Sequence, residues 1–359
     1  SQNPTNTLVR AFVGNNQWGW LPNIEIEHAD GLLSLGAEVR VHRSIHWGKI
    51  QFAEELPQNI DPDYHFYEYN GKKNMYSFYV HELFRPNENI SLMADVQFVK
   101  INYGIANEKY LGNNFNLPYL FINPKLGINY NIDSEWNGYF SLAYTSREPR
   151  LKNLYAAEYS FFGEMPLFET QTVNGVLVYN FAKPLAKPEQ LLDLELGLNY
   201  SRANARMSVN LYWMEFTNEI VENGQVDFFG QPITGNAKRT RHLGFEFDGA
   251  VKLFSSLSVN GNFTISQNKL IKHSEYTEIM ETVGDKIFVS QILDSNPIGG
   301  FPSLLGNVRL AYIKAPLSFS IVLKYVGSFY TDNFKNTRNQ NDAYTVVSTE
   351  VLYNLPRMY

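Results

Sequence analysis

Cysteine is absent from all 359 residues. That excludes disulfides and thiolate-bound metal, and it suits a protein exposed to an oxidising compartment where stray thiols react. No stretch approaches the ~20 consecutive apolar residues of a membrane-spanning helix. Any integral membrane form has to be a closed β-barrel, because an open sheet edge cannot satisfy its backbone in lipid. A net charge of −6, with no basic stripe, removes the electrostatic footprint of a nucleic-acid binder. Catalytic signatures are missing too: there is no Gly-rich phosphate loop, no HExxH helix and no nucleophile elbow. Glu246 and Asp248 are close in sequence, yet same-face carboxylates are common in sheets and nothing nearby completes an acid–base pair. The expectation is a non-enzyme without cofactor or metal. No signal-peptide pattern follows Ser1, so targeting information is expected to be cleaved or encoded outside these residues.

What the chain does have is alternation. Six times, two segments of alternating polarity are joined by a very short turn, and a long polar, aromatic-rich loop precedes the next pair. Leu243, Phe245, Phe247, Val251 and Leu253 alternate with His242, Glu246, Asp248 and Lys252. After a turn at 254–256, Leu257, Val259, Phe263 and Ile265 alternate with Ser258, Asn260, Asn262 and Thr264. Side chains of a strand point to opposite faces with a period of two, so each segment has one greasy and one wet face. About thirteen strands are expected, near 20–29, 32–43, 75–85, 89–100, 120–131, 136–146, 190–201, 206–217, 241–254, 256–268, 303–313, 317–328 and 344–353. Turn formers such as Asp30-Gly31, Pro86-Asn87, Asp133-Ser134 and Ala315-Pro316 fill the short connections. The long connections are read as loops over 44–74, 101–119, 147–189, 218–240, 269–302 and 329–343.

Short turns at one end and long loops at the other are what a transmembrane β-barrel requires. The 23 Tyr, 25 Phe and 5 Trp fit aromatic girdles at two membrane interfaces. The fold expected is all-β: a partial transmembrane antiparallel β-barrel with short periplasmic turns and long extracellular loops. An odd number of strands does not close a bacterial barrel of the usual kind, and Asn354, Leu355 and Pro356 read as one more turn, so a further hairpin is expected.

Candidate site residues follow from the faces and loops. Glu38, Arg40, Asp95, Glu246, Asp248 and Arg309 fall on the wet face and are expected to line a lumen. The alternative is the polar face of an ordinary half-exposed sheet. His46, Trp47, Tyr64, Tyr67, Tyr155, Phe161, Phe162 and Phe228 fall in predicted loops and are candidates for ligand contact. Aromatic rings supply large contact area at low entropic cost, although loops packed on one another through such rings need no ligand. His42 and His46 are four apart, ~13 Å along a strand, too far to share a metal unless the chain bends.

Several strings then carry a family resemblance. Leu35-Gly36-Ala37-Glu38-Val39-Arg40, Tyr144-Thr145-Ser146-Arg147-Glu148-Pro149-Arg150 with Leu154-Tyr155, and Lys187-Pro188-Glu189 with Leu194-Glu195-Leu196-Gly197 occur in order. Asn210-Leu211-Tyr212 through Phe216 with Asn218-Glu219-Ile220, Gly235-Asn236-Ala237 and Gly244-Phe245-Glu246-Phe247 follow. In order and spacing the set resembles the C-terminal part of the barrel of a TonB-dependent outer-membrane receptor. The resemblance implies a barrel of about 22 strands around a plug, of which the thirteen here correspond to roughly the eighth to the twentieth. Residues 1–359 are then a barrel-domain fragment, with plug, first strands and last hairpin unaccounted for. It also implies an outer-membrane location, contact with membrane lipid, a TonB-type energising complex acting through a plug, and a scarce small-molecule or oligomeric solute. A siderophore, cofactor, glycan or peptide would be bound in the loops and admitted by plug movement. A passive porin-like channel and a soluble all-β carbohydrate-binding protein are the alternatives. The first predicts an inward constriction loop, and the second predicts both faces buried between sheets.

Overall fold

The computed structural model describes residues 6–55, 61, 63–227, 230–282 and 285–355. The chain opens with β1 (Thr7–Trp20), β2 (Asn23–His28), β3 (Gly31–Ala53), β4 (His65–Asn87), β5 (Ile90–Ala106), β6 (Phe115–Asn131) and β7 (Trp136–Arg147). A single helical turn α1 (Leu151–Leu154), a 3-10 turn (Ala157–Phe162) and the hairpin β8 (Phe168–Val173) with β9 (Val176–Pro184) come next. Four long strands follow: β10 (Glu189–Arg202), β11 (Ala205–Val226), β12 (Pro232–Phe254) and β13 (Leu257–Lys272). A second hairpin, β14 (Ser274–Thr282) and β15 (Asp285–Ile292), leads to β16 (Leu304–Lys314) and β17 (Leu317–Val326). The short pair β18 (Phe329–Tyr330) and β19 (Gln340–Asn341) precedes β20 (Tyr344–Tyr353).

The long strands form one antiparallel meander in which each pairs with its neighbour in sequence. β1 and β2 share one place beside β3, so fourteen strands fill thirteen positions. Local chemistry sets the tight turns. Asn87 accepts backbone N–H bonds from Asn89 and Ile90, each at 3.0 Å, and Asp133 does the same for Glu135 at 2.7 Å and Trp136 at 2.8 Å. Such side chains mimic a backbone turn and stop the strand.

Residues directly opposite across a ladder share a face. Ile128, Phe140, Leu196, Leu211, Phe245, Ile265 and Leu304 are successive partners and make one apolar row across seven strands. One residue along, Gly127, Ser141, Glu195, Tyr212, Gly244 and Ser266 make a row of the other kind. The apolar row is open to its surroundings, with Leu196 54% and Ile265 53% exposed. A soluble sandwich would bury those side chains against a second sheet, so the greasy face is not a water-soluble core.

The two buried clusters lie at the loop end on the opposite, polar face. The larger packs Leu154, Tyr155 and Ala157 from the 148–168 segment over Tyr69, Ile101, Leu117, Tyr119 and Phe121. In the smaller, Leu293 and Ile298 cover Leu270, Val221 and Ala237. Tyrosines lie flat over glycines on the same face: a Cβ at Gly36 would stand 2.2 Å from the Tyr79 ring, and one at Gly197 2.0 Å from Tyr139. Gly244 and Tyr212 repeat the arrangement, at 2.5 Å. Only a residue without a side chain admits the ring there.

Three expectations are corrected. The predicted loops 44–74 and 218–240 are in large part strand, since β3 runs to Ala53, β4 starts at His65, β11 reaches Val226 and β12 starts at Pro232. Pairing outlasts the alternation because strand beyond the apolar band has no lipid to face. The stretches 147–189, 269–302 and 329–343 contain hairpins of their own. β1 is an unpredicted strand: Gly14, Asn15, Asn16 and Gln17 blur its period, yet it pairs with β3 from Trp20↔Val39 to Thr7↔Ala53.

Candidate functional site

The prolonged strands raise a wall at the loop end, and the 148–168 segment folds against its polar face. Between them lies a hollow of about 800 Å³. β3 contributes Arg40, His42, Ser44 and His46, spaced by two and therefore on one face. β4 contributes Tyr67, Tyr69 and Lys73, placed so that His46 is opposite Tyr69 and His42 opposite Lys73. Asn15 and Gln17 of β1, Tyr103 of β5, Lys152, Glu158 and Gln231 complete it.

The covering segment is fixed by hydrogen bonds at both ends of its first turn. The Leu151 N–H donates to the Tyr103 hydroxyl at 2.9 Å. Asn153 donates through Nδ2 to Thr234 Oγ1 at 2.7 Å, tying the turn to β12. Gly163, at φ 95°, takes the left-handed conformation that closes the 3-10 turn. Three of the cations around the hollow are matched by carboxylates, Arg40 with Glu38, Lys73 with Glu148 and Lys152 with Asp227, and Lys72 also borders it.

The rings stack. His46 lies on Tyr69 with centroids 4.6 Å apart and planes 7° from parallel, and His46 Nε2 is 2.9 Å from Ser44 Oγ. Above the apolar band, burial and then the neighbouring His42 lower the His46 pKa, which keeps the ring neutral near pH 7. Burial raises the Glu158 carboxyl. The same burial, reinforced by Glu158, pushes the Tyr67 phenol up to about 12 and raises Tyr69, whose hydroxyl donates to Glu158 at 3.4 Å. Tyr67 and Tyr69 are packed, at 4% and 5% exposed, so the polar edges around them are what the hollow offers a solute for hydrogen bonding. Among the described residues no cluster of three or more His, Asp or Glu is arranged to hold a metal ion.

Of the eight ring candidates, His46 and Tyr67 meet in this hollow, from strands rather than loops. Tyr67 is only 4% exposed, so most of its ring is packed. Trp47 is on the other face, stacked between Phe12 at 4.3 Å and His65 at 4.6 Å, and does not reach the hollow. Tyr155, at 1% exposed, belongs to the core. Tyr64 packs against that core, and Phe161 sits on its margin, edge-on to Phe66 and Tyr110. Phe162 ends the 3-10 turn, with its side chain outside the described set, and Phe228 lies outside the described residues. Glu38, Arg40, Asp95, Glu246, Asp248 and Arg309 all fall on the polar face; Asp95 is 3.5 Å from His81, and Arg309 is 3.7 Å from Glu350. Sequence reasoning did not single out Lys73, Tyr103, Lys152, Glu158 or Gln231. The period-two series Tyr67, Tyr69, Gly71 and Lys73 is the available signal for the first.

The family profile described as TonB dependent receptor-like, beta-barrel, matches residues 2–359. The chain belongs to that family. As a receptor barrel it is part of a bacterial outer-membrane protein: its polar face is the interior, its tight turns are periplasmic and its long connections extracellular. Solved structures agree in fold. The siderophore receptor PiuA from Acinetobacter baumannii superposes with a TM-score of 0.68 at 14% identity, over 97% of this chain and 50% of that one. The ferric citrate transporter FecA gives 0.68 at 14% identity, over 98% and 50%, and the copper transporter OprC gives 0.69 at 13% identity, over 97% and 50%. The receptor barrel thus spans about half the length of these structures. No curated protein matches it significantly. Family and neighbours are receptors and transporters rather than enzymes.

Proposed function

We propose that the chain forms the solute-binding wall of an outer-membrane receptor that admits a scarce solute by TonB-coupled movement of a plug. The observation that carries this reading is the hollow at the extracellular mouth, roofed by the 148–168 segment and lined by stacked rings and paired charges on the interior face. Its volume falls within the range of small-molecule sites, roughly 300–1,000 Å³. The solutes in the names of similar structures, a siderophore, ferric citrate and copper, make a compact metal chelate the first class to test. Glu38, Arg40, Asp95, Glu246, Asp248 and Arg309 face the plug in this reading.

The test is energised uptake in cells carrying the full-length receptor, with ferric citrate, a ferric siderophore and copper as probes. Arg40→Ala combined with His42→Ala removes two interior groups of the mouth without touching the packed rings. Uptake of the recognised probe should fall about tenfold or more, in line with ~1–3 kcal/mol for lost polar contacts, while barrel assembly stays normal. Unchanged uptake in the double variant would remove this hollow from the pathway. Uptake that persists without the energising complex would point to a passive channel.

A further inference from the structure

Beneath the smaller buried cluster, polar side chains form a line from β11 through β12 and β13 to the 293–303 segment that covers them. One end of the line is a backbone carbonyl, which can only accept, and that sets the direction of the bonds leading to it. Ser266 Oγ donates to the Pro302 carbonyl at 3.4 Å and Asn268 Nδ2 donates to Ser266 Oγ at 3.0 Å, which leaves Asn268 Oδ1 facing His242 Nδ1 at 2.7 Å. Nδ1 therefore carries a hydrogen. Across the ring, Nε2 is 3.1 Å from Glu219 Oε2, an oxygen that already accepts from the Thr240 hydroxyl. With an acceptor at each nitrogen, the imidazole holds two hydrogens and a positive charge.

Asn218 takes the left-handed conformation at φ 57°, uncommon for a residue with a side chain, and the interrupted alternation brings Glu219 to the interior side of His242. His242 and Thr240 are buried, and the Phe216 and Phe301 rings stand edge-on to the imidazole at 5.4 Å and 5.3 Å. Among the described residues Glu219 is the charged group that meets the ring. Asn268 and Ser266 of β13 and Phe301 of the covering segment are uncharged, Tyr212 adds a phenol on the same face, and Glu215, Arg241 and Lys269 are on the outward face. The pair stands above the apolar band, which ends on β12 at Leu243. Burial by itself lowers the His242 pKa, but the hydrogen bond and charge of Glu219, with the bond to Asn268, outweigh it and raise the pKa.

We propose that the His242 proton latches the extracellular cover of β11–β13, holding the 296–303 stretch down while the imidazole is charged and loosening it as the proton leaves. Without that proton a ring lone pair faces either the Glu219 carboxylate or the Asn268 carbonyl, and one buried acceptor loses its donor. The loss passes along the line to Ser266, Pro302 and Phe301. The same stretch is tied to two other connections: Asn296 Nδ2 donates to the Asn333 carbonyl and the Gly299 N–H to Asn333 Oδ1, both at 2.9 Å, while Asn333 Nδ2 donates to the Glu222 carbonyl at 2.7 Å. One proton thus bears on how firmly three extracellular segments are held together. A base favoured in its charged form contributes fully below its unfolded pKa of about 6.5, and that contribution is lost as pH rises through the folded value.

Hydrogen exchange of the full-length receptor in lipid nanodiscs, corrected for intrinsic rates, tests the latch. Protection over 296–303 should be greatest near about pH 6 and fall about tenfold or more towards about pH 9. His242→Gln, which keeps a donor but cannot be charged, should flatten that slope, whereas His273→Gln, at the imidazole facing Glu275, should leave it. Nitrogen-15 NMR of the wild type needs no variant to fold: both His242 ring nitrogens should be protonated at neutral pH. A neutral His242 ring there overturns the proposal. So does wild-type protection that ignores pH, or an undiminished slope in an assembled His242→Gln receptor.

Discussion

Phe247 is midway along the outward stretch from Leu243 to Val251, stacked on Phe263 at 5.3 Å. A charge placed there enters the least polar depth of the bilayer. Phe247→Arg should destabilise the assembled full-length barrel by ~2–4 kcal/mol, read as a shift in its denaturant unfolding in lipid vesicles. The neighbouring inward Asp248 should accept a polar replacement such as Asn with little change, because its face meets water or protein. A difference of one position in sequence thus decides between two solvents, which is why residue-scale arguments here depend on parity more than on residue type. Trp47 illustrates the point: grouped with His46 by sequence proximity, it occupies the opposite face from it.

At the scale of elements, the 148–168 segment holds a carboxyl, Glu158, whose burial should make its packing respond to pH. Burial raises the Glu158 pKa above its ordinary 4.5. For a carboxyl raised on folding, the stability it contributes is full below its unfolded pKa and is lost as pH rises through the folded value. Hydrogen exchange over 151–162, corrected for intrinsic rates, should show protection that falls as pH rises from 4.5 towards 7 in the wild type. In Glu158→Gln that dependence should flatten, and an equal slope in both would assign it to another group. Strands inside the bilayer were legible in sequence because lipid demands an apolar residue at every second position. Turns such as Asn87 and Asp133 were legible because their side chains close the backbone themselves. Beyond the apolar band that demand ends: β1 and the upper halves of β3, β4, β11 and β12 keep pairing with no periodic signature. The mouth hollow is built from those stretches, so its position was hidden even though His46 and Tyr67 were named.

As a whole molecule the sheet is an arc with two free edges, because β1 and β20 each pair with only one strand among the described residues. Unpaired backbone groups cannot face hydrocarbon. Folded from denaturant into lipid vesicles by themselves, these 359 residues should not yield a heat-modifiable monomer. Efficient insertion by the chain alone would mean that its two edges can meet. The tyrosines lying on glycines bear on what such a closed wall encloses. Where Tyr79, Tyr139 and Tyr212 recline on bare backbone, the inner surface is nearly flush, and it presents ring faces instead of projecting chains. A methyl group at Gly36, Gly197 or Gly244 would tip the phenol upright, turning a smooth rung of the shaft into a peg.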